Sequence, residues 1–291
     1  MVITASLVKV LRNKTGAGMM DCKKALTETE GNIDLAIDWL REKGISKAAK
    51  KADRIAAEGL CGVLAKGNEA ILFELNSETD FVAKNKEFLA LLDSLGEIIF
   101  NSGVNNIEEA MKLEIDGKDL ERILADATAK IGEKLSLRRV SRTVKNDDDN
   151  FGAYKHMGGR IVTLVVLNGA DEEVAKNLAM HVAAINPKYI DKSEISEEVI
   201  AHERDILTAE ALNEGKPANI VEKMVIGRLN KYLKEICLLN QPFVKDPDLT
   251  VEKYVKQAGG NIKSFLRLEV GEGIEKRSED FAEEVMSQVN K

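Results

Sequence analysis

The chain has 291 residues, 44% of them apolar, 31% charged and only 4% aromatic, and it carries a net charge of −7. That length can bury one large core or two modest ones, and the scarcity of aromatics suits an Ala/Leu/Ile-rich protein with much helix. The acidic balance argues against a chain built to coat a polyanion, and no apolar run approaches the ~20 residues needed to span a bilayer.

The first 44 or so residues read as a compact helical unit. Thr4 caps a helix carrying Leu7, Val8 and Leu11, which Thr15-Gly16-Ala17-Gly18 ends. A second helix runs through Met19, Cys22, Ala25 and Leu26 to Glu30-Gly31. Asn32 caps a third, with Ile33, Ala36, Ile37 and Leu40, expected to close at Lys43-Gly44. Lys47-Ala48-Ala49-Lys50-Lys51 then reads as a solvated linker helix. A unit this small has little core of its own and suits interaction better than catalysis.

From Ala56 the pattern turns to strands. Leu60 to Ala65 and Ala70 to Leu75 flank Lys66-Gly67-Asn68-Glu69, a hairpin signal. After Phe81 a long amphipathic helix is expected through Phe88, Leu91, Leu92, Leu95, Ile98 and Ile99. Leu120 to Ile131 is a further helix, Leu135 to Val144 is extended, and Asp147-Asp148-Asp149 is read as a loop. Strands near Phe151–Tyr154 and Ile161–Leu167 come next, then a helix from Asp171 to Ile185.

Beyond Pro187, Ile195, Val199, His202, Ile206 and Ala209 step by alternating fours and threes, the spacing of a coiled-coil seam. Asn213-Glu214-Gly215-Lys216-Pro217 breaks it, and a second helix carries Ile220, Met224, Val225, Tyr232 and Ile236. The pair reads as a projecting antiparallel hairpin. The chain returns through Gln241-Pro242-Phe243-Val244, a helix near Val251–Gln257 and an alternating strand from Ile262 to Val270. An amphipathic helix from Glu279 to Val289 closes the sequence.

One unit occurs twice. Asn76, Val82, Ala83, Lys84 and Asn85 recur without a gap as Asn168, Val174, Ala175, Lys176 and Asn177, and Gly67, Leu72 and Leu75 recur upstream as Gly159, Leu164 and Leu167. Such repetition marks a duplicated strand-turn-helix unit. The copies part at the first helical turn, where Thr79-Asp80-Phe81 is answered by Asp171-Glu172-Glu173. Glutamate is almost never fully buried unpaired. Phe81 is therefore expected to be an exposed ring at a helix start, beside a carboxylate. The whole reads as an α+β chain with antiparallel sheets: an N-terminal helical module and linker over 1–54, a first repeat over 55–145, a second over 146–270 interrupted by the 190–240 hairpin, and a C-terminal helical module over 271–291.

Thr15-Gly16-Ala17-Gly18-Met19-Met20-Asp21-Cys22-Lys23-Lys24-Ala25-Leu26 resembles the N-terminal signature of the elongation factor Ts family, the nucleotide exchange factors for elongation factor Tu. Thr79-Asp80-Phe81-Val82 is similar to that family's core motif, and Gln241-Pro242-Phe243-Val244 and Glu269-Val270-Gly271-Glu272-Gly273-Ile274-Glu275 match as well, in the family's order. The resemblance implies a ubiquitin-associated-like N-terminal module, a duplicated core, a coiled-coil protrusion and a C-terminal helix. It implies further that Thr79, Asp80, Phe81 and Val82 bind the partner's G domain near its magnesium, with the ring wedging between helices. By the same resemblance Met19 and Met20 touch that G domain, and His156 matches a position facing the partner, although one residue is inserted before Gly159. The implied assembly with elongation factor Tu is a heterodimer or a two-to-two complex.

Structural readings stand beside these. Asp80 suits a helix first turn through the helix dipole alone. Met19 and Met20 are adjacent and cannot share one narrow helix face, so one of them should be exposed. His181 is expected to be a satisfied core histidine, and His202 to pack in the hairpin seam. Gly16-Ala17-Gly18 lacks the Lys-Ser/Thr that completes a phosphate loop. Cys22, Cys61 and Cys237 lie far apart with no CxxC pair. They point to a reducing cytoplasm and against a zinc or disulfide framework, and the N-terminus lacks a signal-peptide apolar region. No cofactor, metal or membrane is expected. An enzyme is disfavoured because no triad or elbow spacing occurs. For nucleic-acid binding only the lysines of 43–51 speak.

Overall fold

The computed structural model describes residues 3–15, 17, 19–49, 54–215 and 217–275. It is a mixed α+β structure. Internal contacts gather the described residues into two units, one within Met1–Gly62, Phe73–Arg142 and Glu269–Lys291, the other within Val63–Leu72 and Thr143–Leu268.

The first unit opens with α1 (Ala5–Thr15), α2 (Met19–Glu28) and α3 (Ile33–Ala49). Thr4 Oγ1 caps α1 by accepting the Leu7 N–H at 3.2 Å, and Asn32 Oδ1 caps α3 by accepting the Asp34 and Leu35 N–H groups. Val8, Leu11, Cys22, Ala25, Leu26 and Ala36 form this module's small core. The third helix was expected to stop at Gly44, yet it runs on to Ala49 and packs against a later helix. A single glycine costs a helix only about 1 kcal/mol, which neighbouring packing overrides. Lys50 and Lys51 of the expected linker lie outside the described residues.

β1 (Glu58–Lys66) and β2 (Glu69–Ser77) form the expected hairpin around Gly67-Asn68, with Gly67 at φ 59°. Next come α4 (Asp80–Ala83), α5 (Lys86–Ser102) and α6 (Ile107–Ala110), then the ribbon β3 (Glu114–Ile115) and β4 (Lys118–Asp119), α7 (Leu120–Ile131) and β5 (Ser136–Val144). α3 lies on α7. Phe73 fills the space left by two glycines: a Cβ at Gly62 would stand 2.3 Å from its ring, and one at Gly96 3.2 Å.

The second half adds β6 (Asp149–His156), β7 (Ile161–Asn168), α8 (Glu172–Ile185), α9 (Glu197–Asn213), α10 (Ala218–Ile236), β8 (Pro242–Phe243), β9 (Asp246–Thr250), α11 (Val251–Gln257) and β10 (Asn261–Glu269). β6 and β7 pair antiparallel from Asp149↔Asn168 to His156↔Ile161. Gly152 lets α8 rest directly on β6, since a Cβ there would meet the Ala175 carbonyl oxygen at 2.0 Å. Asp149, expected in a loop, begins β6 and is buried, ion-paired to Lys263 at 2.8 Å. A carboxylate enters a sheet when a cation and amide donors meet it there.

The sheets run β1-β2-β5 and β10-β7-β6. Each has a hairpin's second strand in the middle and, on its other edge, a strand arriving after helices. In both, that middle strand is buried almost throughout. This shared connectivity is what a duplicated unit would leave.

Two helical expectations need correction. The helix after Phe81 is interrupted: α4 is one turn long, and Asn85, at ψ 138°, restarts the helix by accepting the Glu87 N–H at 2.8 Å. Its counterpart Asn177 stays within continuous α8 and bonds Tyr254 and Lys245 instead. In the α9–α10 hairpin the packed stripe is Ile200, Leu207 and Ala211 against Val221, Val225, Leu229, Leu233 and Ile236. Val199, His202, Ile206 and Ala209, expected in the seam, are exposed. Ile195 packs in this cluster as expected, but within α9 the stripe runs through Ile200 and Leu207, one residue beyond Val199 and Ile206, a rotation of about 100° on a helix of 3.6 residues per turn. The helix expected over 279–289 lies outside the described residues.

Candidate functional site

The turn that joins β2 to α4 carries the first group of candidate residues. Thr79 is the N-cap, with extended backbone (φ −125°, ψ 157°) and its Oγ1 accepting the Val82 N–H at 3.4 Å. In the second copy Asp171 caps α8 and accepts the Val174 N–H at 2.9 Å. The two caps stand at equivalent places, and the residues after them differ. Glu173 is exposed, and so is Phe81, with 80% of its surface open. A phenyl ring that open gains almost nothing from the hydrophobic effect in the free protein.

Lys84 stands beside this ring, its Nζ 6.0 Å from the ring centroid and 2.7 Å from Asp80 Oδ2. Asp80 is half-exposed and Val82 half-buried, while Ala83 anchors the turn in the core. A hydrophobic tip, a carboxylate and a cation thus share one short turn.

The turn is fixed from behind by groups far off in sequence. Glu133 accepts the Thr79 N–H through Oε2 at 2.9 Å and the Thr79 hydroxyl through Oε1 at 2.7 Å. Lys134 returns its own N–H to Glu78 Oε1 at 2.6 Å, and Arg54 donates to both Glu78 carboxylate oxygens at 3.3 and 3.0 Å. Ser77 Oγ donates to the Thr79 carbonyl at 2.9 Å. None of these partners stands out in the sequence, because Glu133 and Thr79 are 54 positions apart. The only local signal is that Glu133 comes directly after a glycine helix stop, Gly132.

Met19 and Met20 open α2 in the same unit. Both are exposed, at 57% and 76%, so adjacency has not forced either into the module core, where Cys22, Ala25 and Leu26 supply the apolar face. His156 belongs to the other unit and is half-exposed at the end of β6, with its Nδ1 3.3 Å from the Tyr154 hydroxyl. Beside it, Met157 is 67% exposed with φ 47°, an exposed methionine that no sequence pattern announces.

The remaining histidines separate. His181 is fully buried: its Nδ1 accepts the Val244 N–H at 3.1 Å, so the proton sits on Nε2 and is donated to Gln241 Oε1 at 2.9 Å. It is the satisfied core histidine expected of it. His202 faces solvent. Among the described residues no group of three His, Cys, Asp or Glu side chains could hold a metal ion, and no helix is long and apolar enough to cross a membrane. The family model for elongation factor Ts matches residues 78–272, a span that takes in the Thr79 turn, the β10-β7-β6 sheet and the α9–α10 hairpin.

Proposed function

This chain belongs to the elongation factor Ts family, whose members are nucleotide exchange factors for elongation factor Tu in translation elongation, and we propose that its Thr79-Asp80-Phe81-Val82 turn is the part that dislodges the nucleotide. In this reading Phe81 wedges into the G domain of elongation factor Tu and Asp80 approaches the magnesium site. Magnesium is the largest local charge holding the phosphates, so disturbing its ligands removes much of the nucleotide's hold. No bond is made or broken in this protein.

The energetics require only differential binding. A factor that binds the nucleotide-free partner more tightly than the nucleotide-bound one weakens nucleotide binding by the same ratio. The observation that carries the reading is Phe81 itself. It is 80% exposed on a one-turn helix whose cap is tied down at both its N–H and its hydroxyl. An exposed aromatic on a backbone already fixed leaves only its own side-chain rotamer to be ordered on docking, which favours its use as an anchor.

Around this turn we assign Met19 and Met20 of the N-terminal module (1–54) to a second contact with the G domain, their exposure supporting it. His156, in the second repeat, is assigned to another face of the partner. The hairpin within 190–240 is read as a coiled-coil protrusion, and the segment from 271 on as a C-terminal module. The complex is a heterodimer or its two-to-two form, and it works in the cytoplasm.

The test is the release of a fluorescent GDP from elongation factor Tu with and without this chain. Release should accelerate with factor concentration and saturate. Release that stays at the intrinsic rate at micromolar factor would overturn the proposal.

A further inference from the structure

We infer that Glu133 is a positioning residue for exchange, which through Thr79 fixes the direction in which Phe81 is presented; the inference rests on the function proposed for that turn. Glu133 lies just past the end of α7, and its two carboxylate oxygens divide their work. Oε2 takes the Thr79 backbone N–H at 2.9 Å and Oε1 takes the Thr79 hydroxyl at 2.7 Å. Because the hydroxyl proton points at Glu133, the oxygen lone pairs are left to face the Val82 N–H, 3.4 Å away. Glu133 therefore sets the hydroxyl rotor of the cap as well as the backbone entering it. Both bonds run to a charged acceptor, the stronger class of hydrogen bond.

The tie is reciprocal. The next residue, Lys134, donates its N–H to Glu78 Oε1 at 2.6 Å and its Nζ to the Arg54 carbonyl at 2.9 Å, while Arg54 donates to Glu78. Residues 78–79 and 133–134 thus clasp each other in both directions, immediately behind Asp80 and Phe81.

The second copy supplies a contrast. There the cap is Asp171, whose own carboxylate takes the Val174 N–H at 2.9 Å. A carboxylate only accepts, so no partner is needed to orient it. The copy that bears the phenylalanine has instead a threonine cap whose rotor a distant glutamate sets. A ring with almost no packing of its own can be aimed only through its backbone, and the backbone of this turn is held at the cap.

The experiment measures fluorescent-GDP release from elongation factor Tu against factor concentration, with melting temperatures alongside, for the parent chain, Glu133→Ala, Phe81→Ala, the double variant, Thr79→Ser and Thr79→Val. Glu133→Ala should lower the maximal release rate on the order of tenfold, given that a misplacement of about 1 Å can cost ~10²-fold. Its half-saturating concentration should stay near the parent's, and its melting temperature should fall by only a few degrees, as loss of two hydrogen bonds in a chain of this size does. In the Phe81→Ala background the same change should cost no more than about twofold, because residues acting through one another are not additive. Thr79→Val should be slowed like Glu133→Ala, and Thr79→Ser, which keeps the hydroxyl, should be faster than Thr79→Val. A Glu133→Ala protein as fast as the parent, or one that loses its full factor again without the ring, overturns the inference while leaving the wedge reading in place. If Glu133→Ala fails to fold, equal rates for Thr79→Ser and Thr79→Val overturn it. If Phe81→Ala itself exchanges at the parental rate, the wedge reading fails and takes this inference with it.

Discussion

Glu74 Oε1 accepts the backbone N–H of Gly271 at 2.8 Å, joining β2 to a segment 197 residues further along the chain. Glu74 is fully buried and also receives Arg138 Nη1, Arg139 Nε and the side-chain amide of Asn76. Both arginines pass on to the same segment, Arg138 to the Glu272 carbonyl at 2.7 Å and Arg139 to the Glu272 carboxylate at 3.2 Å. Gly271, at φ 74°, allows the approach, since a Cβ there would meet the Ala57 carbonyl oxygen at 2.1 Å. The Glu269–Glu275 motif thus has a structural duty: it closes over a buried carboxylate.

Removing that carboxylate takes one partner from each of two guanidinium groups and an amide, and the acceptor from the Gly271 N–H. Glu74→Ala should therefore cost about 3 kcal/mol of stability, the lower end for breaking a buried ion pair, because the arginines keep some solvent. Urea unfolding checks it, and a loss under ~1 kcal/mol would show that the cluster adds little.

His181 makes stability depend on pH. Burial lowers its pKa below the ordinary 6.5, against the opposing pull of the Gln241 bond. An imidazolium would also aim a second N–H at the Val244 N–H, which now donates to Nδ1. Well above pH 6.5 the residue is neutral in both folded and unfolded chains and contributes no slope. As pH falls below 6.5 the unfolded chain gains a proton that the folded one refuses, so stability declines, by roughly 1.4 kcal/mol per unit at most. Denaturant midpoints between about pH 7 and pH 5.5 should fall in the parent and fall less steeply in His181→Asn. Parallel curves would exclude this histidine as the source.

The thiols should be inert in the folded protein. Cys22, Cys61 and Cys237 are all buried. Burial, with the Glu74 carboxylate adding to it, pushes the Cys61 thiol up to about 12, and burial raises Cys237 as well. Since thiolate is the reactive form, a chromogenic disulfide reagent at about pH 8 should react slowly with the native chain and with three equivalents after denaturation, one for each cysteine. A fast native equivalent would place a thiol at the surface.

The hairpin register can be tested by a pair of adjacent changes on α9. Leu207 faces α10, while Ile206 is 40% exposed. Leu207→Ala should cost about 2–3 kcal/mol, as truncation of a buried leucine does, and Ile206→Ala should stay within ~0.5 kcal/mol. The reverse order would restore the seam that the spacing suggests.

Much of the fold was legible because local chemistry fixes it. Gly67-Asn68 announces the first hairpin, Leu120–Ile131 begins and ends where its cap and glycine stop stand, and Glu173 in the duplicate forecasts that Phe81 is exposed. Sequence could not show the choices that tertiary packing settles. α9 carries two apolar stripes a residue apart, and only the facing helix decides between Val199-Ile206 and Ile200-Leu207. Asn85 and Asn177 occupy matched positions, yet one caps a helix and the other bonds Tyr254 from within one. The clasp of Glu133 on Thr79 is a long-range pairing that no short-range pattern encodes.

The most direct test is Phe81→Ala, with unfolding free energy and GDP release from elongation factor Tu measured on the same preparation. The exposed ring predicts a stability change of only ~0.5 kcal/mol, as for surface substitutions, together with a loss of ~2 kcal/mol or more in binding to the nucleotide-free partner, as for an interface anchor. A variant that unfolds ~3 kcal/mol more easily, as loss of a core phenylalanine would cause, or that releases GDP as fast as the parent, would contradict it.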